Sequence, residues 1–379
     1  MEPHPVMRVA IGAGGAKILD WPGLATYVAE AERLGVDAVW TAEAWAHDAL
    51  TPLGFIAAHT ERIRLMTNVV QIGARSPAML AMSAMTLHSM SGGRFVLGLG
   101  TSGPSVMEGW HGVPFRDPLQ RTRETVEICR RVAAGEPLEF QGKFYRLPLT
   151  EEDGGTGEAA LIRTDAPPVS HLPIHLAALG PRNLRLTGEI ADGWVGTAFL
   201  PETAHVFFDP IREGAAAAGR RFSDIELAVG GYVWFTDDPE FAIEELRLHL
   251  ALVMGAMGSE RRNFYGESYR RQGWGEVVDR VRTLWARGEQ DEALEQIPAE
   301  LVLGTNLVGS PAEVAERLRR YREVGVTTFR ATPYGATVSE KLDTLGQFMD
   351  VVRQVSAEPV SPTGSRSAEQ SVGSGSHVG

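Results

Sequence analysis

Short apolar runs alternate with amphipathic ones along nearly the whole chain. Segments 8–12, 38–41, 63–70, 95–99, 174–178, 193–197, 226–235 and 327–331 read as strands, several of them with the unbroken apolar character of strands buried on both faces. Between them apolar residues recur at three- and four-residue spacing. Leu24, Val28, Ala31 and Leu34 follow this pattern, which stops at Gly35. Segment 312–324 repeats it, with Ser310-Pro311 as cap and first turn and Gly325 as the stop. Eight strand–helix repeats predict a closed (β/α)8 TIM barrel rather than an open sheet.

Two stretches exceed a minimal barrel. Segment 140–172 is rich in Gly, Pro and acidic residues and reads as an excursion after the fourth helix. Segment 236–300 holds several helical patterns, with 240–254 and 276–287 among them. Insertions of this kind wall a site or build an oligomer contact. The barrel domain is therefore expected over 1–356. A tail of Ser, Gly and Pro over 357–379 is expected to be disordered.

Composition narrows the partners. A net charge of −12 over 379 residues argues against nucleic acid or an anionic membrane. No apolar run is long enough for a bilayer, and the first residues lack a basic segment followed by an apolar one. The single cysteine, Cys129, excludes an intramolecular disulfide and fits a reducing cytoplasm.

Barrels place chemistry where strands end, at the C-terminal face. Strand two ends in Glu43 and Trp45, and strand three in Asn68 and Val69. Strand four runs into Gly100, Thr101, Ser102 and Gly103, then Pro104, with Trp110 and His111 beyond. Strand five runs into Ala177, Ala178, Leu179, Gly180 and Pro181. Gly98, Gly100 and Gly103 match a dinucleotide fingerprint, but after three earlier strands and before a helical stretch at 119–124 that reading is set aside. Two glycine-then-proline helix starts suit a phosphate on backbone N–H groups. With aromatics nearby and no HExxH, paired CxxC or Walker motif, they suggest a planar, phosphate-bearing cofactor and no metal. Blander readings stand beside these. Glu43 has the pattern of an exposed loop carboxylate as much as of a site residue. Trp110 and His111 equally suit packing on the rim. Met79, Met82, Met85 and Met90 read as core packing, His88 as a satisfied buried histidine, and Arg182 as a partner of Glu189 or Asp192 as readily as of a phosphate.

Segments 61–82, 91–115 and 173–197 together resemble the bacterial luciferase-like monooxygenase superfamily, in the branch that uses the 8-hydroxy-5-deazaflavin coenzyme F420. The resemblance spans roughly 7–352. It implies a (β/α)8 barrel with the coenzyme ring in its C-terminal mouth and a non-prolyl cis peptide at Asn68–Val69 beneath that ring. It also implies coenzyme contacts from Glu43, from Gly100 to Gly103 and from Ala177 to Pro181, with Trp45, Trp110 and His111 on the substrate side. Sugar-phosphate and alcohol-oxidising relatives carry an Asp-His or similar acid–base pair where this chain has Glu43 and Ala44. The missing His disfavours alcohol oxidation and leaves Glu43 as a coenzyme contact or proton donor. The expected activity is hydride transfer from reduced F420 to a small organic substrate, by a cytoplasmic homodimer. The alternative is an FMN-dependent monooxygenase that uses oxygen. A third reading is a carrier without catalysis, its mouth plugged by 236–300.

Overall fold

The computed structural model describes residues 7–13, 20–258 and 263–359. Eight parallel strands close on themselves: β1 (Arg8–Gly12), β2 (Ala38–Thr41), β3 (Arg64–Thr67), β4 (Phe95–Gly100), β5 (Ile174–Ala177), β6 (Gly193–Val195), β7 (Glu226–Phe235) and β8 (Thr328–Pro333). Each pairs with the next, and β8 pairs with β1 through Val9 opposite Phe329, which completes the barrel. Around it lie α1 (Trp21–Leu34), α2 (Thr51–Ala57), α3 (Pro77–Met90), α4 (Pro118–Ala133), α5 (Pro181–Ile190), α6 (His205–Ala217), α7 (Pro311–Glu323) and α8 (Val338–Ala357). This is the expected (β/α)8 architecture.

Local signals account for the helix ends. The Asp20 side chain accepts from the Gly23 N–H at the start of α1, and Gly35 ends it at φ 97°, a conformation that favours glycine. Capping boxes open α7 (Ser310 with Glu313) and α8 (Thr337 with Glu340). The main core lies between sheet and helices, where outward strand residues such as Val9, Ile11, Val39, Leu65, Leu97 and Phe329 are fully buried. A separate inner layer of Ala10, Ala38, Met66 and Val96 fills the barrel itself.

The third strand departs from expectation. Its ladder ends at Thr67, not at residue 70. The Thr67 hydroxyl donates to the Gly98 carbonyl and accepts the Gly98 N–H, both at 2.8 Å. A side chain thus takes the groups a neighbouring strand would use, and the main chain leaves the ladder. The Asn68–Val69 peptide is cis, and Val70–Gln71 then pairs with Leu99 and Gly100.

Segment 140–172 opens with a two-residue hairpin, Phe140–Gln141 with Arg146–Leu147. The Glu124 carboxylate of α4 fixes it by accepting the N–H groups of Lys143, Phe144 and Tyr145 at 2.8, 2.9 and 3.1 Å. Segment 236–300 forms helices Pro239–Ala251, Phe264–Tyr269, Gly275–Ala286 and Gln290–Glu295 with their own apolar core around Met254, Tyr269 and Val278. Ala299–Thr305 continues it, and Leu307–Gly309 joins the edge of β7.

Two side-chain expectations are corrected. Met79, Met82 and Met90 are more than half exposed, and only Met85 is buried. The spacing was helical, but α3 turns the other three outward. His88 is only half-buried, and its Nδ1 has no hydrogen-bond partner among the described residues, so it is not the satisfied buried histidine expected. No helix among the described residues is long and apolar enough to cross a membrane. Helix α8 reaches Ala357, one residue beyond the expected domain end, and tail residues 360–379 lie outside the described residues.

Candidate functional site

Alternate strand residues point into the barrel, and their character changes from bottom to top. At the N-terminal end the barrel is plugged by charge. Glu226 accepts both terminal nitrogens of Arg64 at 2.9 and 3.0 Å and the Thr328 hydroxyl at 2.6 Å. Arg8 lies at 3.1 Å and His175 Nε2 at 3.9 Å. Burial alone would push the Glu226 carboxyl up, but the Arg64 hydrogen bonds, with the charges of His175, Arg64 and Arg8, outweigh it and hold the group down at about 2. Burial pulls the His175 imidazole below its ordinary value.

The inward positions at the C-terminal end are small or reachable by solvent. Gly12, Trp40, Asn68, Ala177, Gly230, Tyr232 and Arg330 are partly exposed, and Ala42, Thr197 and Thr332 are exposed although their chain neighbours are mostly buried. The result is a blind cavity, closed below by ions and open above. Part of segment 236–300 walls it on one side: Arg271 donates to the Leu179 carbonyl, and Gln272 bonds Ala198 and Leu200. A cleft of about 850 Å³ framed by Leu200, Trp274, Gly304 and Arg317 is a separate feature, since no residue of the eight strands lines it.

The strand-end loops meet at this mouth. Gly103 caps the helical turn Pro104–Met107, and Gly180 caps α5; neither turn has a side-chain cap. A Cβ built on Gly103 or Gly180 would meet nothing within 4 Å, whereas one on Gly100 would lie 2.5 Å from Val69. Ser102 holds φ 57°, a left-handed conformation unusual without glycine. Uncapped first turns beside open space fit a phosphate on backbone N–H groups. Thr101, Ser102, Leu179 and Pro181 remain solvent-reachable around them, while Ala178 and Gly100 are buried behind. Arg182 is exposed, because Arg123 and Arg185 hold Glu189 and Arg130 holds Asp192.

Glu43 is not an exposed loop carboxylate. Its side chain is 8% exposed and accepts Arg75 at 2.7 Å and the N–H groups of Gln71 and Ala49, each at 3.2 Å. Its own N–H reaches the Val69 carbonyl at 3.4 Å. Both oxygens are engaged by donors, and the residue ties the end of β2 to the Asn68–Val69 segment. The aromatic expectations divide. Trp45 and Trp110 stand on the outer rim, about two-thirds exposed, rather than lining the cavity. His111 is partly buried, with Nε2 unpartnered among the described residues. Sequence reasoning missed Trp40, Arg330 and Tyr265. For Arg330 a signal was present: an arginine in the middle of an otherwise apolar barrel strand.

A closed parallel barrel with a blind, glycine-rimmed mouth belongs to the ligand-binding (β/α)8 class. The chain itself belongs to the luciferase-like monooxygenase family, whose sequence model matches residues 6–328. It is 44% identical over 312 residues to a putative coenzyme F420-dependent oxidoreductase of Mycobacterium tuberculosis, covering 81% of this chain and 90% of the relative. It is 25% identical to a 5,10-methylenetetrahydromethanopterin reductase of Archaeoglobus fulgidus, over 85% of this chain and 92% of that protein. Among solved structures, the F420-dependent tetrahydromethanopterin reductase of Methanopyrus kandleri superposes with a TM-score of 0.73 at 22% identity, over 90% and 98% of the two chains. The fold is thus shared across relatives of low identity. Among the described residues, no group of His, Cys, Asp and Glu is placed to hold a metal.

Proposed function

We propose that this chain is an F420-dependent oxidoreductase that works in the reductive direction on a small organic substrate. The observation that carries the reading is the pair of uncapped glycine turns at Gly103 and Gly180 beside an open barrel mouth, in a chain of this family. When bound, the reduced coenzyme supplies a hydride. The protein holds the phosphate on the turns at Gly100 to Gly103 and Ala177 to Pro181, sets the ring against Asn68 and Val69, and shields the reacting face from water. Alanine at Gly103 and Gly180 tests this. Both positions have open space and negative φ, so the double variant should keep its unfolding free energy within about 0.5 kcal/mol. Its affinity for F420 should fall about tenfold or more, roughly 1.4 kcal/mol, in a fluorescence titration. A wild-type protein that ignores micromolar F420, or that takes reduced FMN and consumes oxygen instead, sinks the reading.

Glu43 is proposed as a positioning residue that holds the Asn68–Val69 segment, with proton donation as the competing role. Glu43→Gln keeps the shape and weakens the Arg75 pair. The expected outcome is a roughly tenfold lower kcat with an unchanged pH profile; a lost or displaced basic limb would make Glu43 the proton donor.

Trp110 and His111 on the loop after β4, with Trp45 across the rim, are proposed to meet substrate as it enters. The exposed methionines suggest a homodimer, since Met79, Met82 and Met90 form one apolar stripe on the outside of α3. Sedimentation should give twice the chain mass, and glutamate at Met79 and Met82 should halve it. Cytoplasmic residence is proposed from a single cysteine that is fully buried.

A further inference from the structure

Deep in the mouth, β8 presents a cation with little to hold. Arg330 occupies an inward position opposite Ala10 of β1 and Gly230 of β7, in a layer otherwise made of small or apolar residues. Its one hydrogen bond among the described residues runs from Nη2 to the Gly196 carbonyl, and its Nε is buried without a partner. Among the described residues no carboxylate lies within salt-bridge distance of Arg330; the described acids of the barrel interior are gathered below, around Glu226. The guanidinium carbon stands 6.0 Å from the Trp40 ring, whose own Nε1 is also buried and unpartnered. Tyr265, from the 236–300 segment, is near enough to feel the Arg330 charge. A structural arginine buries its charge against an acid or spends its donors on carbonyls. Arg330 does neither fully. Arg330 and Trp40, each partly exposed and each with one buried donor lacking a partner among the described residues, therefore stand together in the mouth.

We infer that Arg330 is the anion-binding residue of the substrate pocket, and that the substrate carries a carboxylate with a flat unsaturated group beside it. A planar carboxylate matches the remaining N–H fork of the guanidinium, and a conjugated chain beside it lies along the Trp40 face. Burial pulls the Arg330 guanidinium down to about 10, with Tyr265 opposing, so the cation is present at neutral pH and discharges its unfavourable burial when an anion arrives. The inference rests on the oxidoreductase reading, and it deepens that reading by naming a substrate class.

Calorimetric titration with trans-cinnamate and with its neutral counterpart cinnamamide tests it, alongside an F420 titration of the same proteins. The wild-type chain should bind cinnamate at least tenfold more tightly than the amide. Arg330→Met should bind the two equally and keep its F420 affinity. Arg330→Lys, which retains the charge, keeps the preference in reduced form and answers the question if the methionine variant does not fold. Equal binding of both probes by the wild type, or a preference that survives in Arg330→Met, overturns the inference. So does a loss of F420 affinity in the methionine variant, which would assign the cation to the coenzyme. Failure of the wild type to bind F420 would remove the oxidoreductase reading and leave the carboxylate preference to be judged by its own titration.

Discussion

Replacing Glu226 with Gln lowers the unfolding free energy at pH 7 by about 3–5 kcal/mol, the usual consequence of leaving a buried charge without its partner. The Glu226 side chain is 9% exposed and serves Arg64, Arg8 and Thr328 at once. The amide keeps the shape but leaves two guanidinium groups facing each other at the barrel floor. The pH dependence follows from the direction of the shift. The folded carboxyl titrates at about 2, below its ordinary 4.5, so its contribution is complete above pH 4.5 and disappears as the pH falls toward 2. His175 adds a loss in the same direction, because burial disfavours its protonated form and the unfolded chain takes that proton first. Asp37 also faces Arg64 and Arg8, and burial raises its carboxyl. Urea midpoints of the two proteins should stand furthest apart near neutrality and approach each other in acid. A constant gap from pH 7 to pH 3 would deny Glu226 this role.

Gly98→Ala should be the most damaging single methyl near the site. Its Cβ would stand 1.8 Å from the Thr67 carbonyl oxygen, a backbone atom that cannot rotate away. The Thr67 hydroxyl that exchanges two hydrogen bonds with Gly98 would be displaced as well. We expect a loss of about 3 kcal/mol or more, at or above the upper end for overpacking, with poor accumulation of soluble protein. Any folded fraction should bind F420 weakly, since Asn68 follows directly on the displaced segment. Gly180→Ala is the contrast, because open space surrounds that position. If both variants melt at the wild-type temperature, the close packing of β3 on β4 is not what orders the mouth.

The fold was legible because its signals are local. Unbroken apolar runs, three-and-four spacing, the Gly35 and Gly325 stops and the Ser310 cap each act within a few residues, so their order along the chain already describes eight strand–helix units. The strand-end glycines were legible for the same reason. Met79, Met82 and Met90 were misread because a short apolar helix gives no strong hint of which face meets the barrel. Glu43 read as a site residue or a solvated loop carboxylate, and only Gln71 and Arg75, brought over from beyond β3, decided that it is buried.

By itself, then, the sequence determined the repeat of strands and helices, the barrel class and the loops at its rim, since these depend on neighbours in the chain. Which side chains share the interior was decided only in three dimensions. Arg64 meets Glu226 across 162 positions, and Arg330 meets Gly196 across 134. Closure of the barrel brings them together, and alternation along each strand decides which of them end up as the charged floor and which as the open mouth.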